Sequence, residues 1–253
     1  SRHSPGRVIH HLRRQSREGS PPSGAASMKW RTDGEETTYR EVEFYQFNRS
    51  PVFVVLWTVA VALSAAVLSP LILLSRASGV LFKASSELLS VVPSFPGFAV
   101  RYAFYRLTLA SCGKNVLFDF GTVLYSREIR IGSNVTFGLG NLIQHCHFGN
   151  NVLVSDGCRF VGGTEKHNFS RTDISINRQG GRIRYIHVGD DCWIDCGSIV
   201  MANVGTGTVV QAGSVVTQDL PEYSICRGNP AKVVDRRSSD YRANNHGRGS
   251  SAG

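Results

Sequence analysis

The sequence predicts an all-β solenoid, a stack of triangular coils of short strands, preceded by apolar helices. Two observations support this prediction. From about residue 129, apolar residues recur at every sixth position, with small or turn-prone residues between them. Upstream, residues 52–74 form a run of 23 residues without a charge. A period of six fits neither an α-helix nor a simple strand, but it is typical of a solenoid in which three strands and three turns form each coil.

Composition divides the chain into five segments. Residues 1–27 and 238–253 are rich in Gly, Ser and Arg and lack a hydrophobic pattern, so we expect disordered basic tails. Residues 28–51 form a polar N-terminal segment, 52–111 an apolar helical region, and 112–237 the solenoid with a loop at 162–185. Because the basic tails lack interleaved aromatic residues, we expect no nucleic-acid binding.

The apolar run at 52–74 predicts association with a membrane. Its length is enough to cross a hydrocarbon core of about 30 Å as one helix. Pro70 breaks the run near its end, so a shallow hairpin that turns there and a single span both stay open. Basic residues follow at Arg76, Lys83, Arg101 and Arg106, which favours a cytoplasmic location for the C-terminal side. If the run is instead buried within the protein, we expect a cytoplasmic protein.

The repeat predicts which residues fill the solenoid. We expect the leading apolar residue of each unit to point inward, and Gly, Asn or Asp to occupy the tight corners. Two units are short, and the second of them clips one coil at 200–207. The leading residues are Ile131, Phe137, Ile143, Phe148 and Val154, then Val188, Ile194, Val200, Val204, Val210 and Val216.

The six cysteines predict neither a disulfide framework nor a metal site. The chain begins with no secretory signal, which favours reduced thiols. It also contains no Cys-x-x-Cys pair, so we expect no bound metal.

The segment "IHVGDDCWIDCGSIV…GTGTVVQAGSVVTQDLPEYSICRGNPAKVV" resembles the C-terminal motif of bacterial hexapeptide-repeat acyltransferases. The loop "HNF…QGG" is similar to that of sugar and polysaccharide O-acetyltransferases of the colanic-acid, maltose and galactoside type. This resemblance implies a left-handed parallel β-helix and a homotrimer. It also implies that acetyl-CoA lies in a groove between neighbouring prisms, where the loop of one chain reaches over the active site.

Several positions depart from the family pattern. Asp195 replaces Gly after the Trp-Ile pair, Gln211 replaces Gly before "AGS", and Gln218 stands where Lys is usual. The clipped coil at 200–207 is expected to disturb the shape of the acyl-CoA groove or to shift its register. A non-catalytic relative of the family therefore stays open.

Acyl transfer to a hydroxyl needs a base with a pKa near neutrality and a pre-aligned donor for the oxyanion. His167 lies in the loop that interrupts the repeat, and the resemblance places the general base there. Glu165 and Asp173 are both candidates to orient its imidazole. The other histidines are expected to shape a corner or the trimer face (His145, His147), to lie in a strand (His187), or to be solvated in the tails (His3, His10, His11, His246).

The resemblance also implies the residues that bind the two substrates. Acetyl-CoA is expected to contact Trp193, Cys196, Ala212, Gly213 and Thr217 along the groove, with Pro230 and Lys232 near the adenine and phosphates. Gln179 and Gly180 are expected on the acceptor side. Structural explanations stay open for Gly213, as a corner glycine, and for Pro230, as the end of a coil.

Together these features predict an O-acetyltransferase that modifies a sugar hydroxyl in surface polysaccharide or lipid-linked glycan biosynthesis, at the cytoplasmic face of the bacterial inner membrane. One alternative is a transferase for a small soluble acceptor, such as serine or a free sugar. A second is a prism-shaped zinc enzyme of the carbonic-anhydrase type, for which His145, His147, His167 and His187 would be the source of ligands.

Overall fold

A computed structural model describes residues 50–238 of the chain. The predicted tail at 1–27, nearly all of the polar segment at 28–51, and residues 239–253 lie outside the described residues. So do the four tail histidines His3, His10, His11 and His246.

Four helices precede the strands: α1 (Pro51–Val67), α2 (Ser69–Ala77), α3 (Gly79–Ser90) and α4 (Ser94–Thr108). The break in the apolar run lies at Leu68, and the chain bends there by 64°. Pro70 therefore lies in the first turn of α2, where its missing N–H costs no helical hydrogen bond. No single described helix has the length and hydropathy to cross a membrane, although the bent pair of α1 and α2 meets both criteria together.

Strands β1 to β15 are stacked in three parallel sheets, and each of the first four turns of the chain adds one strand to each sheet. The fifth turn contributes only an isolated bridge at Val204 to the first sheet. A final antiparallel strand, β16 (Lys232–Arg236), closes the stack against β15. The first sheet contains β1 (Ser111–Cys112), β4 (Arg130–Ile131), β7 (Cys146–Phe148) and β10 (Ile186–Val188). The second contains β2 (Val116–Phe118), β5 (Val135–Phe137), β8 (Leu153–Val154), β11 (Trp193–Ile194), β13 (Val209–Val210), β15 (Ser224–Arg227) and β16. The third contains β3 (Val123–Leu124), β6 (Leu142–Ile143), β9 (Arg159–Phe160), β12 (Ile199–Val200) and β14 (Val215–Val216).

The core of the prism is the set of residues that the six-residue period predicts. Every leading residue from Ile131 to Val216 is buried. Where Phe118, Phe137, Phe148 and Phe160 follow one another, their rings pack with centroids 4.9–5.3 Å apart, the first pair face to face and the other two edge to face. This burial and packing confirm the inward direction assigned to these positions, and they show that stacking of successive coils forms the core.

The clipped coil stays in register with the coils on either side, and its expected effect on the acyl-CoA groove stays a prediction. Val204 still pairs with Val188 before it and with Leu220 after it. The side chain of Asn203 accepts from the N–H of His187 (2.9 Å), and that of Asp219 accepts from the N–H of Asn203 (2.9 Å). These side-chain oxygens take the place of main-chain acceptors that the shortened turn does not supply. The coils on either side stack as they would without the clip.

Arg101 joins the helices to the prism. Its side chain is fully buried, and its guanidinium donates to the carbonyl oxygens of Phe118 (2.8 Å), Val92 (2.7 Å) and Leu89 (3.2 Å). Burial lowers the pKa of this guanidinium. Arg101 therefore satisfies carbonyls at the end of α3 and in the first coil. The buried Arg101 therefore adds no surface charge on the C-terminal side of the apolar run, and the predicted orientation of that side stays a prediction.

Candidate active site

The loop at 162–185 leaves the prism at the corner between the third and first sheets, after β9, and returns at β10. Its two arms are paired. The N–H of Asn168 donates to the carbonyl of Gly180 (2.8 Å), and that of Arg182 donates to the carbonyl of Glu165 (2.9 Å). A Cβ on Gly181 would lie 1.9 Å from the carbonyl oxygen of Lys166, so only glycine permits this approach.

His167 lies exposed on the outgoing arm and lines a cavity of about 560 Å³ between the two arms. A second cavity, of about 680 Å³, lies between the loop and the corner of the following coils. Thr164, Glu165 and Arg182 line both cavities, so the two adjoin. The histidine is thus accessible to a molecule held between the loop and the prism.

The two candidates for orienting His167 differ in their surroundings. The carboxylate of Asp173 is paired with Arg171, whose Nε lies 3.0 Å from Oδ1, and this hydrogen bond lowers the pKa of Asp173. Glu165 lines the same cavity as His167. Glu165 is thus the candidate that shares a cavity with His167, and its role in orienting the imidazole stays a prediction.

Gln179 and Gly180 form part of the framework of the loop. The Gln179 side-chain amide donates to the carbonyls of Arg171 (2.7 Å) and Ile174 (3.1 Å) and accepts from the N–H of Arg171 (3.1 Å). Gly180 has a φ of 71° and accepts the hydrogen bond from Asn168. These hydrogen bonds already occupy the side-chain amide of Gln179. Contact of Gln179 and Gly180 with an acceptor stays a prediction.

The residues predicted to contact acetyl-CoA fall into separate groups within one chain. Trp193 and Ala212 line a cavity of about 760 Å³ on the outer surface of the second sheet. Cys196 and Gly213 stack beside it at the corner between the second and third sheets, where the N–H of Gly213 donates to the carbonyl of Cys196 (2.8 Å). Thr217 instead lines the cavity beside the His167 loop.

The last two predicted residues lie near the end of the stack. Pro230 lies between β15 and β16, and Lys232 begins β16; both are exposed. The N–H of the intervening Ala231 donates to the carbonyl of Val215 (2.8 Å), which holds this turn on the preceding coil. Neither residue lines the cavity with Trp193.

Four arginines that sequence reasoning did not select line the cavities. Arg182 borders both cavities beside the loop and Arg184 borders the larger of them, while Arg227 and Arg237 border the cavity of Trp193. No local signal in the sequence distinguishes these four arginines.

Three histidines and Tyr185 form a cluster at the base of the loop. The ring of His147 stacks on that of Tyr185, with centroids 4.8 Å apart and planes within 7°, and it lies 5.1 Å from the ring of His187. His145 packs edge-on against Tyr185. Nδ1 of His147 accepts from the N–H of Arg130 (3.0 Å). The cluster holds the returning arm of the loop on the prism.

Burial is the main cause that lowers the pKa of both His145 and His147. Lys166 adds to this effect at His145, and His187 and Arg130 add to it at His147. Over residues 50–238, no group of three or more His, Cys, Asp or Glu side chains is arranged to hold a metal ion.

Comparison with known proteins relates the chain to acetyltransferases. A Staphylococcus aureus protein named as an acetyltransferase is 32% identical over 114 residues, which is 36% of this chain and 55% of that protein. The galactoside O-acetyltransferase of Lactococcus lactis is 28% identical over 141 residues, covering 54% of this chain and 60% of that protein. The chain thus spans a little over half the length of these relatives. No family model matches the sequence.

Solved structures share the fold. A galactoside acetyltransferase in complex with coenzyme A superposes with a TM-score of 0.57 at 17% identity, over 66% of this chain and 84% of that one. A maltose O-acetyltransferase from Clostridium difficile superposes with a TM-score of 0.55 at 21% identity, over 62% and 86%. At these identities the likeness concerns the fold, a parallel β-solenoid of the left-handed β-helix type.

Proposed function

Because the chain belongs, by fold and by sequence similarity, to the hexapeptide-repeat acetyltransferase family, we propose that it moves an acetyl group from acetyl-CoA to a sugar hydroxyl. The observation that carries this proposal is the position of His167. One loop interrupts the coils, and its exposed histidine faces a cavity between its two arms, next to a larger cavity against the prism. A base placed there can reach a hydroxyl that enters from solvent.

In the proposed reaction, His167 takes the proton from the sugar hydroxyl as that oxygen attacks the thioester carbonyl carbon. A backbone N–H stabilises the oxyanion of the tetrahedral intermediate. Collapse of the intermediate breaks the carbon–sulfur bond. The thiolate of CoA then takes the proton from the imidazolium, which restores neutral His167 and releases the acetylated sugar.

The acetyl-CoA site is proposed to lie between neighbouring subunits of a homotrimer. The cavity with Trp193 has an apolar wall, contributed by Leu153, Val209 and Ile225, and carries Arg227 at its edge. An apolar wall with a basic group suits a ligand that combines an apolar chain with phosphates. Since Trp193 and Thr217 line different cavities of one chain, a shared groove requires them to come from two chains.

We propose that the acceptor belongs to surface polysaccharide or lipid-linked glycan biosynthesis and that the enzyme acts at the cytoplasmic face of the bacterial inner membrane. The support is the exposed apolar surface of the helices. α1 has no buried residue, and Val52, Leu56, Leu63 and Val67 are each more than 60% exposed. An acceptor attached to a lipid lies in a membrane, and contact with that membrane would cover this apolar surface.

The proposal is tested by measuring thiol release from acetyl-CoA by the full chain, with a panel of neutral and lipid-linked saccharides. With a true acceptor, His167→Ala is expected to lower kcat by about 10²–10⁴-fold because the general base is lost. Arg178→Ala, which removes an exposed side chain of the same loop that lines neither of the two cavities beside it, is the matched control and should keep most of the rate. Full activity of His167→Ala would refute the assignment of the base. No transfer by the wild type to any saccharide would refute the enzymatic proposal.

A further inference from the structure

The helices present an apolar surface far larger than scattered surface leucines account for. Besides the four residues of α1 named above, Val55, Leu73, Val80 and Leu88 are each more than 60% exposed. Contiguous apolar patches of this size mark interaction sites on soluble proteins.

The contacts of α1 show how the apolar run is held. Its partly buried residues are Phe53, Trp57, Ala60, Val61, Ser64 and Ala65. Their spacing is that of one helical stripe. The rings of Phe53 and Trp57 pack on Phe95 of α4, with centroids 5.8 Å apart in both pairs. The opposite stripe of α1 is apolar and uncovered within residues 50–238.

Three points along the run are fixed to the first coil (β1–β3) or to α4. At its start, Trp57 packs on Tyr102 of α4, whose hydroxyl donates to the carbonyl of Gly113 (3.2 Å). At the break, Leu68 packs against the buried core. At the end of α2, the guanidinium of Arg127 donates to the carbonyl of Arg76.

α4 is itself pinned to the first coil. Arg101 bonds to Phe118, and the ring of Tyr105 lies 4.5 Å from that of Phe118. A spanning segment would carry one of its ends about 30 Å away from the aqueous domain. Here the start of the apolar run, its break at Leu68 and the end of α2 are all held close to the prism, with at most α4 between them and the coils.

We infer that α1 and α2 lie flat in one leaflet of a phospholipid bilayer and do not cross it. The inference rests on the membrane attachment in the proposed function and specifies its geometry. An interfacial helix of this kind buries its apolar face to a depth of about 5–10 Å. Both ends of the apolar run then stay on the side that holds the prism.

Charge around the surface fits the headgroups of an anionic leaflet. Arg76 is the one basic residue of α2, whereas Lys83 of α3 is paired with Glu87 (3.3 Å). Arg106 and Lys114 are exposed on α4 and just after β1. Basic groups beside an apolar face strengthen binding to anionic lipids.

The first test is flotation of the full chain with vesicles of phosphatidylethanolamine and phosphatidylglycerol. We expect the wild type to float with the vesicles, and Leu56→Asp/Leu63→Asp to lose at least tenfold in bound fraction. Leu139→Asp, on an exposed leucine at a corner of the second coil, is the matched control and should float like the wild type. If the wild type does not float and is instead held together in larger oligomers by this surface, both the membrane attachment and the flat geometry are refuted.

The second test measures depth. Fluorophores on Val52→Cys, Val59→Cys and Val67→Cys, in a Cys196→Ser background that removes the exposed native thiol, are quenched by lipids brominated at different chain positions. A flat helix predicts the same shallow depth for all three labels. Depths that differ by more than about 10 Å along α1, in protein that still floats, would refute the flat geometry and leave the membrane attachment and the acyl-transfer proposal standing.

Discussion

At the scale of single residues, Arg101 shows how a charge can serve packing. Its guanidinium is buried without a carboxylate partner among the described residues, and it bonds to carbonyls from two elements. A buried carbonyl without a donor costs about 1–3 kcal/mol. The side chain therefore stabilises the junction between the helices and the prism by satisfying oxygens that water cannot reach.

Arg101→Met is expected to lower the free energy of unfolding by roughly 3 kcal/mol or more, because several of these carbonyls lose their donor together. Arg106→Met changes an exposed arginine of the same helix and should shift stability by less than about 0.5 kcal/mol. Urea denaturation of the two variants measures both values. Equal stability of the two would show that the buried hydrogen bonds contribute nothing.

At the scale of elements, the loop depends on the histidine cluster that holds its returning arm. His147 is bound as a neutral ring, since its Nδ1 accepts a backbone hydrogen bond and its face stacks on Tyr185. The pKa of His147 and that of His145 are lowered in the folded protein, first by burial. The unfolded chain therefore binds protons more readily at these sites than the folded one does.

Stability from this cluster is fully present above the ordinary histidine pKa of about 6.5 and is lost as pH falls through the lowered folded values. We expect the melting temperature, measured from pH 8 to pH 5, to fall across this range. His147→Phe keeps a ring against Tyr185 but cannot titrate, so it should flatten the dependence even if its overall stability is lower. If the melting temperature of this variant falls with pH as steeply as that of the wild type, His147 is not a source of the pH dependence.

The elements also separate what the sequence can and cannot predict. Ile131 and Val216 were predictable as core residues because the period repeats over many coils. The loop with His167 was predictable as the one long interruption. The hydrogen bonds of Asn203 and Asp219 that hold the clipped coil could not be predicted, since they depend on side chains that meet across successive coils. Nor could spacing reveal that Trp193 and Thr217 line different cavities, because that depends on which corner of the prism each one occupies.

At the scale of the whole molecule, the proposed sharing of a site between subunits predicts that two inactive variants complement each other. If Trp193 of one chain faces the His167 loop of its neighbour, mixed trimers of Trp193→Ala and His167→Ala chains contain some sites with both residues intact. Co-refolding the two inactive variants should then restore a fraction of the wild-type rate. Activity of the mixture no higher than the mean of the two separate variants would place each complete site within a single chain.

The order of the elements along the prism has one more consequence. The helices pack on the first coil, and the loop with His167 leaves after the third. Successive coils are separated by about 4.8 Å, the spacing of neighbouring strands. If the proposed membrane attachment and the proposed role of His167 hold, the number of coils between the helices and the loop sets the distance of this histidine from the bilayer in fixed steps. Inserting one three-strand coil between them would then move the histidine by one step and change which sugar of a lipid-linked glycan it meets.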